Sequence, residues 1–339
     1  MTRIAVVILN YNGQKLLQQF LPSVIQYSPE ADIFVADNGS TDQSIQFLRA
    51  NFSQVTILEL GENSGFCGGY NKALRQIKAD YYMLLNSDVE VTPHWLEPLI
   101  SLLDTNPEIA VIQPKILSYR DKKLFEYAGA GGGFLDTLGY PFCRGRVFDH
   151  VEEDHGQYND ERQIFWATGA CMMIRSEKFH QCGGFDEDLF AHMEEIDLCW
   201  KLNRSHSLVY YSGKSAVYHL GAGTLGYNNP RKTYLNFRNG LSLIFKHLDT
   251  RELMYKLPFR IVLDWLAAVF FLFKGEGENF KSVFRAHIHF LKQLDNLRRK
   301  RKVIRRQNPD YPRRNIHPGL IVFDYYLRKK KTFQFNNPR

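Results

Sequence analysis

The stretch YYMLLNSDVEV, Tyr81 to Val91, runs five apolar or aromatic residues into an abrupt polar break at Asn86-Ser87-Asp88. A short apolar run bounded by turn residues reads as a strand buried on both faces, the kind that parallel sheets place between layers of helix. The same unit recurs on both sides of it. IAVVIL precedes KLLQQFLPSVIQ, DIFVA precedes DQSIQFLRANF, VTILEL precedes GGYNKALRQIK, YYMLL precedes HWLEPLISLLD, and IAVIQ closes the series near residue 113. This rhythm predicts an α/β fold with a mostly parallel, doubly wound, Rossmann-like sheet. Such sheets bind ligands beyond the carboxyl ends of their strands. The residues just after each strand are therefore the candidates: Asn10, Asn12 and Gly13; Asp37, Asn38 and Ser40; Asn63 and Gly65; Asn86, Ser87 and Asp88. All four sets are predicted to line one edge.

Beyond this unit the pattern changes twice. Residues 114–162 are Gly-rich and mixed in charge, and predict loops and short strands over the cleft. QIFWATGACMMIR then reads as a strand. GGFDEDLFAHMEEIDLCWKLNR reads as a loop entering a helix near Met193, and SLVYY and SAVYHL read as two further strands. After Asn229, three aromatic-rich segments show helical spacing. The chain thus divides into 1–229, made of the halves 1–113 and 114–229, and a helical, basic extension over 230–339. Its longest apolar run, Trp265 to Phe273, is nine residues, well short of the roughly 20 a spanning helix needs.

Five cysteines without a CxxC pair argue against a disulfide framework or a four-cysteine zinc site. The N-terminal apolar run Ile4–Leu9 is too short for a signal-peptide core, so a cytoplasmic protein is expected. From Arg298 onward, fourteen Lys/Arg face Asp310 and Asp324, a net +12 in a chain whose total is +7. A basic tail beside aromatic helices suits an anionic lipid surface, at about 1 kcal/mol per basic residue. Peripheral membrane contact through 257–331 is one expectation. Packing of these helices on the catalytic domain or on a second copy, as a homo-oligomer, is the other, and a plain solvated surface is the alternative for the tail.

Seven motifs in order, VVILNYNG, VADNGSTDQS, ENSGFCGGYN, LLNSDVEV, WATGACMMIR, GGFDEDLFAHMEEIDLC and VYHLGAGT, resemble the family 2 inverting glycosyltransferases, closest to the rhamnosyltransferase-like members that build bacterial surface polysaccharides. The resemblance covers about residues 3–225. It implies a GT-A fold, a UDP- or dTDP-sugar donor (dTDP-rhamnose among them) and a saccharide or lipid-linked saccharide acceptor at the inner face of the membrane, with Mn²⁺ or Mg²⁺ as cofactor. Departure of a diphosphate calls for a cation, and an attacking hydroxyl calls for a base.

Asp88 matches the last residue of the family's Asp-x-Asp motif, with Asn86 in the first position. Oxygen ligands suit hard cations, but an Asx turn is the structural alternative. His219 sits where related enzymes carry a metal-binding histidine; a satisfied core histidine is the alternative. Asp37 matches a nucleobase contact, while Ser40 or Thr41 is expected to cap the following helix. Asn63 and Asn71 match family positions near base, ribose or phosphate, and Asn10, Asn12, Asn38, Gly65 and Ser87 join the donor set. The glycines at 65, 68 and 69 suggest close approach of helix N–H groups to an anion, or simply a turn. Glu195 matches the general base, with Glu194 in support; Asp197 reads as the partner of Lys201 one turn on. Trp166 and Gly169 resemble the floor of the acceptor site, though a core tryptophan serves equally well.

Two other classes compete. A nucleotidyltransferase needs a Gly-rich basic loop for triphosphate, and LNYNGQK offers one glycine and one lysine. A nucleic-acid binder would explain the tail and not the acidic sites, so no nucleic acid is expected. A non-catalytic nucleotide-sugar-binding protein of the same fold remains open.

Overall fold

The computed structural model describes residues 2–127, 129–221, 229–308 and 314–332. Ala222, Gly223 and Thr224 of the His219 motif, and residues 309–313 and 333–339 of the basic tail, lie outside them. The first half alternates as expected: β1 (Ile4–Asn10), α1 (Gln14–Tyr27), β2 (Asp32–Asp37), α2 (Ser44–Asn51), β3 (Thr56–Glu59), α3 (Gly65–Leu74), β4 (Tyr81–Asn86), β5 (Val89–Val91), α4 (Glu97–Thr105) and β6 (Ile109–Ser118). Four short strands follow: β7 (Gly133–Asp136), β8 (Pro141–Cys143), β9 (Arg146–Val147) and β10 (His150–Val151). Then come β11 (Glu161–Ile164), β12 (Cys171–Arg175), α5 (Ser176–Gln181), a 3₁₀ turn at Glu187–Leu189, α6 (Glu194–Arg204) and β13 (Leu208–His219). The last part holds α7 (Pro230–His247), α8 (Thr250–Phe273), α9 (Gly277–Lys292), α10 (Leu294–Gln307), β14 (Ile316–His317) and α11 (Ile321–Tyr326).

The main sheet runs β3-β2-β1-β4-β12-β6-β13-β11, and β5 pairs with β13. Its first four strands are parallel. Residues of alternate parity in β1 and β4 enter different cores: Ala5, Val7, Tyr82 and Leu84 face one layer, Ile4, Val6, Ile8, Met83 and Leu85 the other. Burial on both faces is why these strands read as unbroken apolar runs.

The other half departs from a simple winding. β12 inserts antiparallel between β4 and β6. The two runs read as separate strands fuse into β13, whose register against β6 shifts between Ser212 and Ala216. The segment over the cleft forms a small second sheet, β10-β9-β8-β7-β14, and its last strand comes from the C-terminal extension. The basic run after Arg298 is helical rather than a loose tail. Lys300 bonds Asp186 and Asp188, Arg301 the Phe245 carbonyl, and Arg305 Asp249, docking α10 on the body. No helix among the described residues is long and apolar enough to cross a membrane.

Candidate active site

Pairing register assembles the site. β1 sets Asn10 opposite Asp37 and Leu9 opposite Asn86, so the ends of β1, β2 and β4 meet at one edge. The antiparallel pairing of β5 with β13 sets His219 opposite Val89, next to Asp88. His219 Nε2 thereby lies 3.1 Å from Asp88 Oδ1, and its Nδ1 lies 3.3 Å from Glu126 Oε2. The Asn86 amide nitrogen is 3.5 Å from the same Nε2. All three members of the Asp88–His219–Glu126 row are buried. Burial works against the imidazolium, yet a carboxylate on each ring nitrogen outweighs it and pushes the His219 pKa up to about 10.

This row fits a hard divalent cation by its donors. A carboxylate oxygen and an imidazole nitrogen converge, and two carboxylates on one imidazole leave a surplus of negative charge that a cation would neutralise. Asp88 and His219 hydrogen-bond one another in this structure, and they are the two side chains that would hold such a cation. Glu126 would act from behind, fixing ring tautomer and orientation. Among the described residues no group of three or more His, Cys, Asp or Glu is arranged to hold a metal ion, so the candidate protein donors are Asp88 and His219 alone.

The donor-side residues divide by what they already hold. Asp37 is buried, accepting from the Asn10 amide (2.9 Å) and the Ser40 N–H (2.9 Å). Asn10 Oδ1 is buried with no hydrogen-bond partner, and a Cβ on Gly13 would stand 2.4 Å from it; this is an acceptor held open at the strand edge. Ser87 is near that point. By contrast, Asn12 takes the N–H groups of Thr41 and Asp42, Asn38 ties Asn63 to Gly65, and Asn71 holds Phe185 through both its amide and its carbonyl. Ser40 receives the Asn10 amide and the Asn12 N–H, and it is Asp42 that takes the Ser44 N–H opening α2. The expected capping by Ser40 or Thr41 gives way to Asp42.

The anion cradle suggested at α3 is corrected as well. Gly65 has φ +73°, and the N–H groups of Phe66 and Cys67 both reach the Phe190 carbonyl. Those donors are engaged, so the glycine turn serves to seat the loop before α6 against α3.

That loop is strained. Phe190, His192 and Met193 all have positive φ, at 66°, 65° and 70°, a conformation costly for side chains and typical of functional sites. It delivers Glu194 and Glu195 at the start of α6. Each keeps one buried oxygen without a hydrogen-bond partner. Burial, and for Glu194 the neighbouring Glu195 charge, raise both carboxyls; Glu194 goes well above the usual range and Glu195 up to about 7. The link to the Asp88–His219 pair is the segment Gly169-Ala170. A Cβ on Gly169 would stand 3.9 Å from Glu194 Oε1, and the Ala170 carbonyl accepts the Asn86 N–H. Trp166 lies in the core, its ring across Gly133 and its N–H given to the Phe134 carbonyl. Asp197 does pair with Lys201 (3.6 Å), but its closer partners are Lys246 (2.6 Å) and His247 (2.8 Å) of α7. Against its burial, these hold its carboxyl well below the usual range.

Sequence reasoning missed what α7 does. The Asn239 side chain, fully buried, donates to the carbonyls of Leu189 (3.1 Å), Ala191 (3.0 Å) and His192 (2.7 Å), while Arg238 donates to those of Asp188 and Leu189. The signal was present: Asn-Gly in the middle of a helical pattern is a poor helix former with a reason to be there. Asn239→Ala would strand these carbonyls. It is expected to lower kcat by roughly 10²-fold through misplacement of Glu195 while donor KM moves much less, as steady-state kinetics would show. Equal losses in both constants would mark general unfolding instead.

Glu194 carries a stability prediction. Its folded pKa lies above its unfolded value near 4.3, so between the two the folded state holds the extra proton and stability falls as pH rises. Glutamine escapes this. Glu194→Gln is expected to match wild type near pH 4 and to melt roughly 5 °C higher near pH 8. A wild type that melts higher at the alkaline end would contradict it.

A mixed α/β sheet whose strand ends gather acids, asparagines and one histidine, with an acid pair on a strained loop near them, has the GT-A architecture of glycosyltransferases. Residues 5–183 match the family Glycosyl transferase family 2, and the chain belongs to that family. A relative in Mycobacterium tuberculosis, N-acetylglucosaminyl-diphospho-decaprenol L-rhamnosyltransferase, is 28% identical over 240 residues, spanning 65% of this chain and 77% of that protein. Among solved structures, GalNAc-T7 with UDP, GalNAc and Mn²⁺ superposes with TM-score 0.53 at 17% identity over 77% of this chain and 54% of that one. The mannosyltransferase PcManGT of Pyrobaculum calidifontis, in complex with GDP-Man and Mn²⁺, gives TM-score 0.53 at 13% identity over 84% and 74%. The fold expectation made from the sequence holds.

Proposed function

We propose that this glycosyltransferase is an inverting, metal-assisted enzyme that moves a sugar from a UDP- or dTDP-sugar, dTDP-rhamnose being the leading donor, to a saccharide or lipid-linked saccharide in cell-surface polysaccharide synthesis. The observation that carries the reading is that Gly169-Ala170 neighbours both groups: Gly169 faces Glu194, and the Ala170 carbonyl holds Asn86, whose amide lies beside the Asp88–His219 pair. Donor and acceptor then meet at this segment. The rhamnosyltransferase relative supports the donor class and a lipid-linked acceptor.

Asp37, with lone pairs left on its buried carboxylate, accepts the imide N–H of uracil or thymine. Asn10 offers its open carbonyl nearby to a ribose or imide donor. Asp88 and His219 would hold Mn²⁺ or Mg²⁺, which supplies charge neutralisation for the leaving diphosphate. Glu195, raised by burial to about 7, takes the proton of the acceptor hydroxyl near neutral pH. The hydroxyl oxygen forms its bond to the anomeric carbon as the bond from that carbon to the diphosphate breaks, and the configuration inverts. Glu194, its carboxyl raised well above the usual range by burial and by the Glu195 charge, supports that base from the neighbouring position. Domain roles follow: 1–113 for the donor, 114–229 for the acceptor, and 230–339 for holding the catalytic loop through α7.

The test is release of nucleoside diphosphate from a panel of UDP-, dTDP-, GDP- and ADP-sugars, with Mn²⁺, with and without saccharide acceptor. Acceptor-stimulated release of UDP or dTDP is expected. Turnover confined to purine donors would overturn the assignment of Asp37.

A further inference from the structure

Helix α8 is built inside out. Its charged residues Arg260 and Asp264 are buried and paired one turn apart at 3.0 Å. Arg260 also gives a hydrogen bond to the Leu138 carbonyl and stacks on Tyr140, 3.5 Å from its centroid, while Asp264 receives the Tyr140 hydroxyl and faces His287. The inner face is thus polar, and its partners lie in the β7–β8 turn and in α9. The outer face is apolar. Met254, Phe259, Val262, Leu266, Phe270 and Phe273 are 41–86% exposed. Steps of three or four residues keep Phe259 to Phe273 in one stripe, about 21 Å long at 1.5 Å per residue, and Met254 extends the apolar surface at its edge.

The stripe widens onto α9, where Phe284, also exposed, meets the edge of Trp265 at 6.1 Å between centroids. Contiguous apolar surface of this extent marks an interaction site rather than ordinary exterior. Charge selects the partner. Between Thr250 and Phe273 no carboxylate is exposed, and the exposed ionic groups at the two ends are Arg251 and Lys274. On α9 the exposed Lys281, Arg285 and Lys292 face one exposed acid, Glu278, already paired with Lys281 at 2.7 Å. A second copy of the chain would bring this same cationic rim against itself. An anionic lipid surface matches both the stripe and the rim.

We infer that α8 lies in the plane of an anionic membrane, its stripe from Phe259 to Phe273 among the acyl chains and its basic rim at the head groups. No spanning segment is required. The inference sharpens the tail-based expectation, because Lys300, Arg301 and Arg305 of α10 are engaged on the protein itself. It complements the lipid-linked acceptor reading without depending on it: α8 packs on α7, the helix that holds the catalytic loop, so the membrane and the site share a support.

The experiment is flotation of the full chain with vesicles of phosphatidylcholine alone or of equal parts phosphatidylcholine and phosphatidylglycerol. Each protein is checked by light scattering for its oligomeric state and by thermal melting. Wild type is expected to float with the anionic vesicles. The double variant Leu266→Glu/Phe270→Glu, at exposed positions, is expected to melt with wild type, to keep turnover on a water-soluble acceptor and to bind roughly 100-fold more weakly. Arg251→Glu/Lys274→Glu should lose the preference for phosphatidylglycerol. Wild type failing to float, or the double exchange at Leu266 and Phe270 leaving flotation unchanged, overturns the inference. So does a dimer that the same exchange splits without any vesicle binding. Absence of turnover with flotation intact would count against the proposed function alone.

Discussion

Glu195→Gln is expected to lower kcat by about a thousandfold with donor KM nearly unchanged, the middle of the 10²–10⁴ range that a positioned general base contributes. Glutamine keeps the shape and removes the proton acceptor. In the wild type the base must be ionised, and its carboxyl is raised to about 7 by burial. The sign follows directly: kcat/KM should climb about tenfold per pH unit on the acid side and level off above that value. The variant should lose this limb. A Glu195→Gln enzyme with wild-type turnover, or an acid limb that survives the substitution, would move the role to Glu194, whose carboxyl is also raised by burial and by the Glu195 charge.

Asp88→Ala is expected to cost on the order of 10³ in turnover or more, because several kcal/mol of charge stabilisation depend on the cation that Asp88 would anchor. His219→Ala should cost less, since an uncharged ligand contributes less to a hard cation than a carboxylate. Titration with Mn²⁺ should show binding by the wild type and none by Asp88→Ala. The substitution also leaves His219 Nε2 facing no carboxylate, with Glu126 still on the other nitrogen. Wild-type turnover in Asp88→Ala would reduce the Asn86-Ser87-Asp88 turn to a structural feature.

The parallel half was legible because both faces of β1 and β4 are buried, and a doubly buried strand shows its length and limits in hydrophobicity alone. The run over 163–175 read as one strand; the structure breaks it between Ile164 and Cys171, giving its start to β11 beside β13 and its end to β12, an antiparallel insert between β4 and β6, because direction and neighbour depend on the path of the chain between strands. β13 appeared as two runs since its central Ser212-Gly213-Lys214-Ser215 has the composition of a turn, where the structure has a register shift.

The site divides in the same way. Asp88 stood out as a polar residue at the end of an apolar run, whereas His219 and the acid pair were singled out by their resemblance to the family's motifs. Glu126 did not stand out, because it lies in an aperiodic Gly-rich segment and matters only through the ring nitrogen it faces. Arg238 and Asn239 were hidden in a segment read as an extension, although their side chains hold the strained loop that presents Glu195. Asn12, Asn38 and Asn71 show the converse: polar residues in the right place, drawn into holding the loops together.

The most direct test of the account is the anomeric configuration of the product, read by NMR after transfer from a UDP- or dTDP-sugar in the presence of Mn²⁺. A linkage inverted relative to the donor, formed by the wild type and lost in Glu195→Gln, is the predicted result. A retained linkage, or transfer that continues undiminished without Glu195, would contradict a single displacement assisted by this base.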